Sequence, residues 1–133
     1  MPVKSLSGDQ PPAAVPQAPP AAAKVLYAVD AALTPASPVT DIASLTAIAE
    51  DAVRAGHGHV LDTSHVIFPN GAVTLVLILA ESHLSIHTWP EENLIAIDLF
   101  SCGAIAGQRV LAELARALRL TQVRVRQLDR GPA

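Results

Sequence analysis

Ala72-Val73-Thr74-Leu75-Val76-Leu77-Ile78-Leu79-Ala80 runs directly into Glu81-Ser82-His83-Leu84-Ser85-Ile86-His87-Thr88-Trp89-Pro90-Glu91. The first part is a nine-residue apolar run rich in branched side chains, with no Gly or Pro inside it. It is too short for a typical helix and reads as a central strand covered on both faces. Pro69-Asn70-Gly71 ahead of it reads as a turn, and residues 58–67 before that turn as another strand. After it come strands near 83–89 and 94–100, separated by Pro90-Glu91-Glu92-Asn93. A buried strand that empties into a serine, two histidines and then Cys102, the single cysteine of the chain, marks where a site is expected.

Working outward, Val25-Leu26-Tyr27-Ala28-Val29 reads as a short strand, and Pro35 and Pro38 punctuate the loop that follows. Ile42, Leu45, Ile48, Ala49, Ala52 and Val53 recur at helical spacing, predicting a helix from about Asp41 to Ala55 with Thr40 as N-cap and Gly56 as stop. A second amphipathic helix is predicted over 105–118, with Leu111, Leu114 and Leu118 on one side. Val123-Arg124-Val125-Arg126 closes the chain as an alternating strand with one wet face. The order β-α-β-β-β-β-α-β predicts an α+β fold, a two-layer sandwich of a mainly antiparallel sheet with two helices on one face. The other sheet face then needs cover, and a second copy of the chain, making a homodimer, is the economical answer.

At 133 residues there is room for one core. Half the residues are hydrophobic, although only four are aromatic. Residues 1–23 are rich in Pro and Ala and read as a flexible, partly polyproline tail, leaving 24–133 as the folded domain. The net charge of −3 and the lack of a dense basic patch argue against nucleic acid as a partner. The arginines between 116 and 130 read as a solvated face. One cysteine excludes an internal disulfide and suits a reducing compartment. No apolar run approaches the roughly 20 residues that span a bilayer, and no secretory signal opens the chain, so no membrane association and a cytoplasmic location are expected.

The order Glu81-Ser82-His83-Leu84, then His87, then Cys102 resembles the bacterial S-adenosylmethionine decarboxylase proenzyme family, which makes a pyruvoyl cofactor from an internal serine. The resemblance covers residues 58 to 103 closely and the flanks by element order. It implies self-cleavage between Glu81 and Ser82. The serine hydroxyl attacks the preceding carbonyl, the amide becomes an ester, and loss of the Ser82 α-proton with the Glu81 carboxylate leaves dehydroalanine, which hydrolyses to a pyruvoyl end. It further implies His87 and an upstream hydroxyl, here Thr74 where the family usually has Ser, as processing residues. Cys102 is implied as the proton donor in a decarboxylation that proceeds through a Schiff base. For substrate binding it implies Phe68, whose ring would stack on adenine, and Trp89 and Glu91, with the carboxylate on the ribose hydroxyls.

Two stretches depart from the family pattern. Ala72-Val73-Thr74-Leu75 stands where Gly-Val-Ser-Gly is common, and Ala23-Lys24-Val25 where Gly-Arg/Lys-His is. S-Adenosylmethionine is the expected substrate, in spermidine synthesis. Ornithine or arginine on the same scaffold, and a non-catalytic binding paralogue, are the alternatives. A metal site among His57, His59, His65, His83 and His87 is disfavoured, because no His-Glu-x-x-His pattern or Cys pair supports it. Ser82 and His87 have opposite parity in an ideal strand, so the reading requires a bend or break near Ser82.

Overall fold

The computed structural model describes residues 23–132, so all but the last residue of the tail expected over residues 1–23 lies outside the described residues. In chain order the elements are β1 (Lys24–Ala32), α1 (Ile42–Ala55), β2 (Val60–Ile67), β3 (Val73–Leu79), β4 (Ser82–Trp89), a single 3-10 turn (Pro90–Glu92), β5 (Leu94–Cys102), α2 (Gly107–Ala117) and β6 (Thr121–Arg130). The strands form one sheet in the order β2-β3-β4-β5-β1-β6. Every neighbouring pair is antiparallel. This is the two-layer α+β sandwich expected from the element order.

Period-two alternation decides which face is dry. Leu75, Leu77 and Leu79 of β3 are buried, as are Leu84 and Ile86 of β4 and Ile95, Ile97 and Leu99 of β5. They form one core with Leu45, Ala49 and Val53 of α1 and with Val110, Leu114 and Leu118 around α2. Each fully buried branched side chain contributes roughly 1.5–3 kcal/mol. Gly107 lets α2 start directly on the sheet, because a Cβ there would lie 2.6 Å from the Tyr27 ring.

Four expectations are corrected. β3 is not covered on both faces within one chain: its burial alternates between buried and half-buried residues, so Thr74, Val76 and Ile78 lie on the half-covered face. The N-cap of α1 is Asp41, not Thr40. The Asp41 carboxylate accepts from the Ala43 N–H at 3.1 Å and from the Ser44 hydroxyl at 2.7 Å. β2 begins at Val60, because the Gly58 N–H still bonds to the Val53 carbonyl at the end of α1. β6 is longer than the predicted Val123–Arg126 core and is exposed along its whole length, since it is an edge strand whose helix-side residues α2 does not cover.

Candidate active site

The two-residue turn Ala80-Glu81 joins β3 to β4 and sets the register of everything after it. Leu79 pairs with Ser82, and the same register brings Thr74 opposite His87. On its other side Ser82 pairs with Ser101 of β5. The Ser82 backbone has φ 133°, a left-handed value that a residue with a Cβ rarely adopts. A non-glycine residue in this region costs about 1–3 kcal/mol, which the surrounding hydrogen bonds must hold in place. The backbone is irregular at Ser82, while the pairing of β4 with β3 and β5 runs without a register shift.

Those hydrogen bonds converge on Glu81. Its backbone carbonyl accepts from the Cys102 N–H at 3.1 Å. Its side chain is 3% exposed. One carboxylate oxygen accepts from the His59 backbone N–H at 3.0 Å, and the other lies 2.9 Å from His59 Nδ1. The Ala80 N–H in turn donates to the His59 carbonyl at 2.9 Å. The peptide bond between Glu81 and Ser82 is therefore held from both sides, with a hydrogen-bond donor already on the oxygen that would carry negative charge if the carbonyl were attacked.

Thr74 Oγ1 and His87 Nδ1 lie 3.1 Å apart across β3 and β4. The pair faces the half-covered side of the sheet, five residues along β4 from Ser82, or roughly 16 Å at ordinary strand rise. One chain thus brings Thr74 to His87, and Glu81–Ser82 to Cys102, but does not bring the two groups together. Cys102 is half-buried at the end of β5. Phe68, 45% exposed, follows β2, and Trp89, 37% exposed, ends β4, so both rings lie at the Thr74–His87 end of the sheet. The Trp89 ring sits 6.2 Å from the His87 ring. Glu91, in the 3-10 turn, accepts from the Asn70 side-chain amide at 3.2 Å, which ties the β2–β3 loop to the β4–β5 loop. Among the described residues no three His, Cys, Asp or Glu side chains cluster closely enough to hold a metal ion. Among those residues no helix is long and apolar enough to cross a membrane.

The sequence profile of the S-adenosylmethionine decarboxylase family matches residues 26–131. This chain belongs to that family. It is 34% identical over 107 residues to the S-adenosylmethionine decarboxylase proenzyme of Picrophilus torridus, covering 80% of this chain and 78% of that one. It is 39% identical over 79 residues to the proenzyme of Pyrobaculum arsenaticum, 59% of each chain. It is 41% identical over 81 residues to that of Thermotoga petrophila, 60% of this chain and 62% of that one. The matches thus span about three fifths of the length of the latter two relatives. The crystal structure of the adenosylmethionine decarboxylase from Aquifex aeolicus superposes with a TM-score of 0.72 at 22% identity, over 84% of this chain and 93% of that one, and shows that the fold is shared.

Within this S-adenosylmethionine decarboxylase fold, one residue at the junction had no predicted role there. His59 enters the sequence reading only among metal-ligand candidates, and nothing in its spacing links it to Glu81, 22 residues on. The turn Ala80-Glu81 was the available signal. A tight turn between two strands fixes which strand end lies beside it, and the approach to β2 is that neighbour.

Proposed function

We propose that the chain is a self-processing decarboxylase that converts S-adenosylmethionine to its decarboxylated form and CO2, using a pyruvoyl group made from Ser82. The observation that carries this reading is the Glu81–Ser82 junction, where a left-handed Ser82 follows a carbonyl already bonded to the Cys102 N–H. Attack of Ser82 Oγ on that carbonyl carbon forms the C–O bond and breaks the C–N bond, and the hydroxyl proton passes to the freed Ser82 nitrogen. Removal of the Ser82 α-proton then expels the Glu81 main-chain carboxylate and leaves a dehydroalanine end. Addition of water and loss of ammonia complete the conversion. The donor on the oxyanion and the strained turn are what such an acyl shift needs, so these residues fit the cofactor.

Once formed, the pyruvoyl carbonyl supplies the electron sink for loss of CO2. Cys102 Sγ, at the end of the strand that pairs with Ser82, is assigned as the donor that returns a proton to the substrate carbon. Phe68, Trp89 and Glu91 are assigned to the substrate, the rings to the base and the carboxylate to the ribose. The names of the relatives favour S-adenosylmethionine over ornithine or arginine. The reading places the enzyme in polyamine synthesis in the cytoplasm.

The homodimer belongs to the same proposal. Thr74 on β3 and His87 on β4 lie too far from the β3–β4 turn to serve the Ser82 of their own chain, yet they occupy the half-covered face with a hydroxyl and an imidazole already paired. Two copies stacked face to face through that surface, running in opposite directions, would bring the Thr74–His87 pair of one copy toward the Ser82 of the other. The test is intact-mass spectrometry of freshly purified protein, followed by CO2-release assays with S-adenosylmethionine, ornithine and arginine. Fragments 1–81 and 82–133, the second with a pyruvoyl end, and turnover of S-adenosylmethionine alone are expected. A chain that stays whole on prolonged incubation would remove the reading.

A further inference from the structure

We propose that His59 is a positioning residue for the self-cleavage step, an inference that rests on the processing reading above. Glu81 is the residue whose carbonyl is attacked, and its own carboxylate is buried, at 3% exposure, on the residue whose carbonyl carbon must become tetrahedral and whose carbonyl oxygen must become negative. A second negative charge on the same residue opposes that development unless something offsets it, and at short range in a water-poor site the opposition is large. His59 is the partner of that carboxylate. Its backbone N–H and its ring meet both oxygens, at 3.0 and 2.9 Å.

The pair also fixes geometry. The His59 carbonyl holds the Ala80 N–H at 2.9 Å, so both residues of the turn are tied to one residue at the mouth of β2. The Glu81 carbonyl is then presented to the Cys102 N–H with little freedom to rotate away. A ring N–H on the carboxylate offsets the side-chain charge while the oxyanion of the tetrahedral intermediate forms. The His59 side chain is 56% exposed and the Glu81 side chain 3%, so the ring closes the open side of an otherwise buried carboxylate. The structure therefore gives Glu81 two separate supports, Cys102 for the reacting oxygen and His59 for the side chain.

The experiment follows first-order loss of the whole chain by intact mass in wild type, His59→Ala, His59→Gln, Glu81→Gln and the double variant His59→Ala/Glu81→Gln, with Tm measured for each. Loss of a hydrogen bond to a charged group predicts processing slowed roughly 10- to 100-fold in His59→Ala, with His59→Gln intermediate because its amide restores a donor of different reach. In the Glu81→Gln background, where there is no charge to offset, removing His59 should slow processing less than about threefold. Processing at the wild-type rate in His59→Ala overturns the proposal. So does an equal slowing in both backgrounds, which would mark a purely structural staple. If His59→Ala does not fold, the comparison is made with His59→Gln in the two backgrounds and read the same way. A wild-type chain that never cleaves overturns the processing reading and this proposal with it, whereas cleavage of wild type with unaltered His59 variants overturns this proposal alone.

Discussion

The β3–β4 turn and the edge strand β6 are both polar segments of a largely apolar sheet, and they are held in opposite ways. At the turn, Glu81 is buried and both its side chain and its carbonyl oxygen are bonded by residues from β5 and the approach to β2. On β6 every residue is exposed, and Arg124 and Arg126 share the single carboxylate of Asp30 on β1. Buried polar groups are costly unless fully partnered, so a strained backbone that carries them is where the proposed chemistry is assigned. Exposed ion pairs cost little to keep or lose, so β6 has no such implication. The contrast separates a buried, strained junction from an exposed edge on physical grounds alone.

The strongest way to break it is at Ser82. Ser82→Ala and Ser82→Gly should both leave a single uncleaved chain by intact mass and show no decarboxylation. They should differ in stability. Glycine adopts the left-handed backbone freely, so Ser82→Gly should be more stable than Ser82→Ala by about 1 kcal/mol in urea unfolding. Equal stabilities would mean that the turn is not strained. Cleavage of either variant would move the cofactor elsewhere.

Next comes the Thr74–His87 pair. His87→Ala should slow processing by about 10²-fold or more, the range of a lost general base, and Thr74→Val by less, with Thr74→Ser restoring the rate. Co-expression sharpens the test. If the pair serves the other copy, a His87→Ala chain partnered with a Ser82→Ala chain is processed, because its Ser82 meets the intact His87 of that chain. Failure of that mixture to process would put His87 in service of its own chain and remove the face-to-face arrangement.

Cys102 separates processing from turnover. Its contribution to the junction is a backbone N–H, which Cys102→Ala retains. That variant should therefore still be cleaved, within a few-fold of the wild-type rate, while CO2 release per processed chain falls by about 10²-fold. Loss of both together would assign the thiol to the junction as well.

Much of this was legible before the structure. The run from Ala72 to Ala80 announced the central strand, and the switch from period two to helical spacing at Ile42 and again near Leu111 located both helices. The order Glu81-Ser82, His87, Cys102 pointed to the β3–β4 turn and the end of β5, and Ser82 is where the backbone takes a left-handed value. The rest depends on contacts far apart in the chain. His59 reaches Glu81 across 22 residues, and the half-covered face holding Thr74 and His87 becomes visible only when the strand order is known. The N-cap was misplaced by one residue because Thr40 and Asp41 are both good caps, and the choice rests on which oxygen reaches the Ala43 N–H.

That cap gives a smaller test, on the outer surface with β6. The Ser44 hydroxyl, and after it the Ala43 N–H, hold the Asp41 carboxyl below its ordinary value of 3.8. A carboxyl lowered by folding stabilises above its unfolded value and loses that contribution as pH falls through the folded one. Asp41→Ala should therefore lower Tm by about 2–4 °C at pH 7. The gap from wild type should close as the pH is taken below about 4. A gap that persists at low pH would mean that the side chain acts by packing rather than as a charged acceptor.

The smallest effect belongs to β6 itself. Arg126 lies 2.9 Å from Asp30 and Arg124 lies 3.9 Å from it, all three at the surface. Removing Arg126 leaves Asp30 with Arg124 still in reach, so Arg126→Ala should cost no more than about 0.5 kcal/mol and leave the processing rate unchanged. Removing the shared carboxylate is different in kind, because it leaves two arginines on one face of the strand with nothing between them. Asp30→Ala should therefore destabilise more than Arg126→Ala, and the difference should shrink in 1 M NaCl, where the screening length falls to about 3 Å. A loss of processing in either variant would show that the edge strand and the junction are coupled, and the contrast between them would no longer mark where the chemistry is.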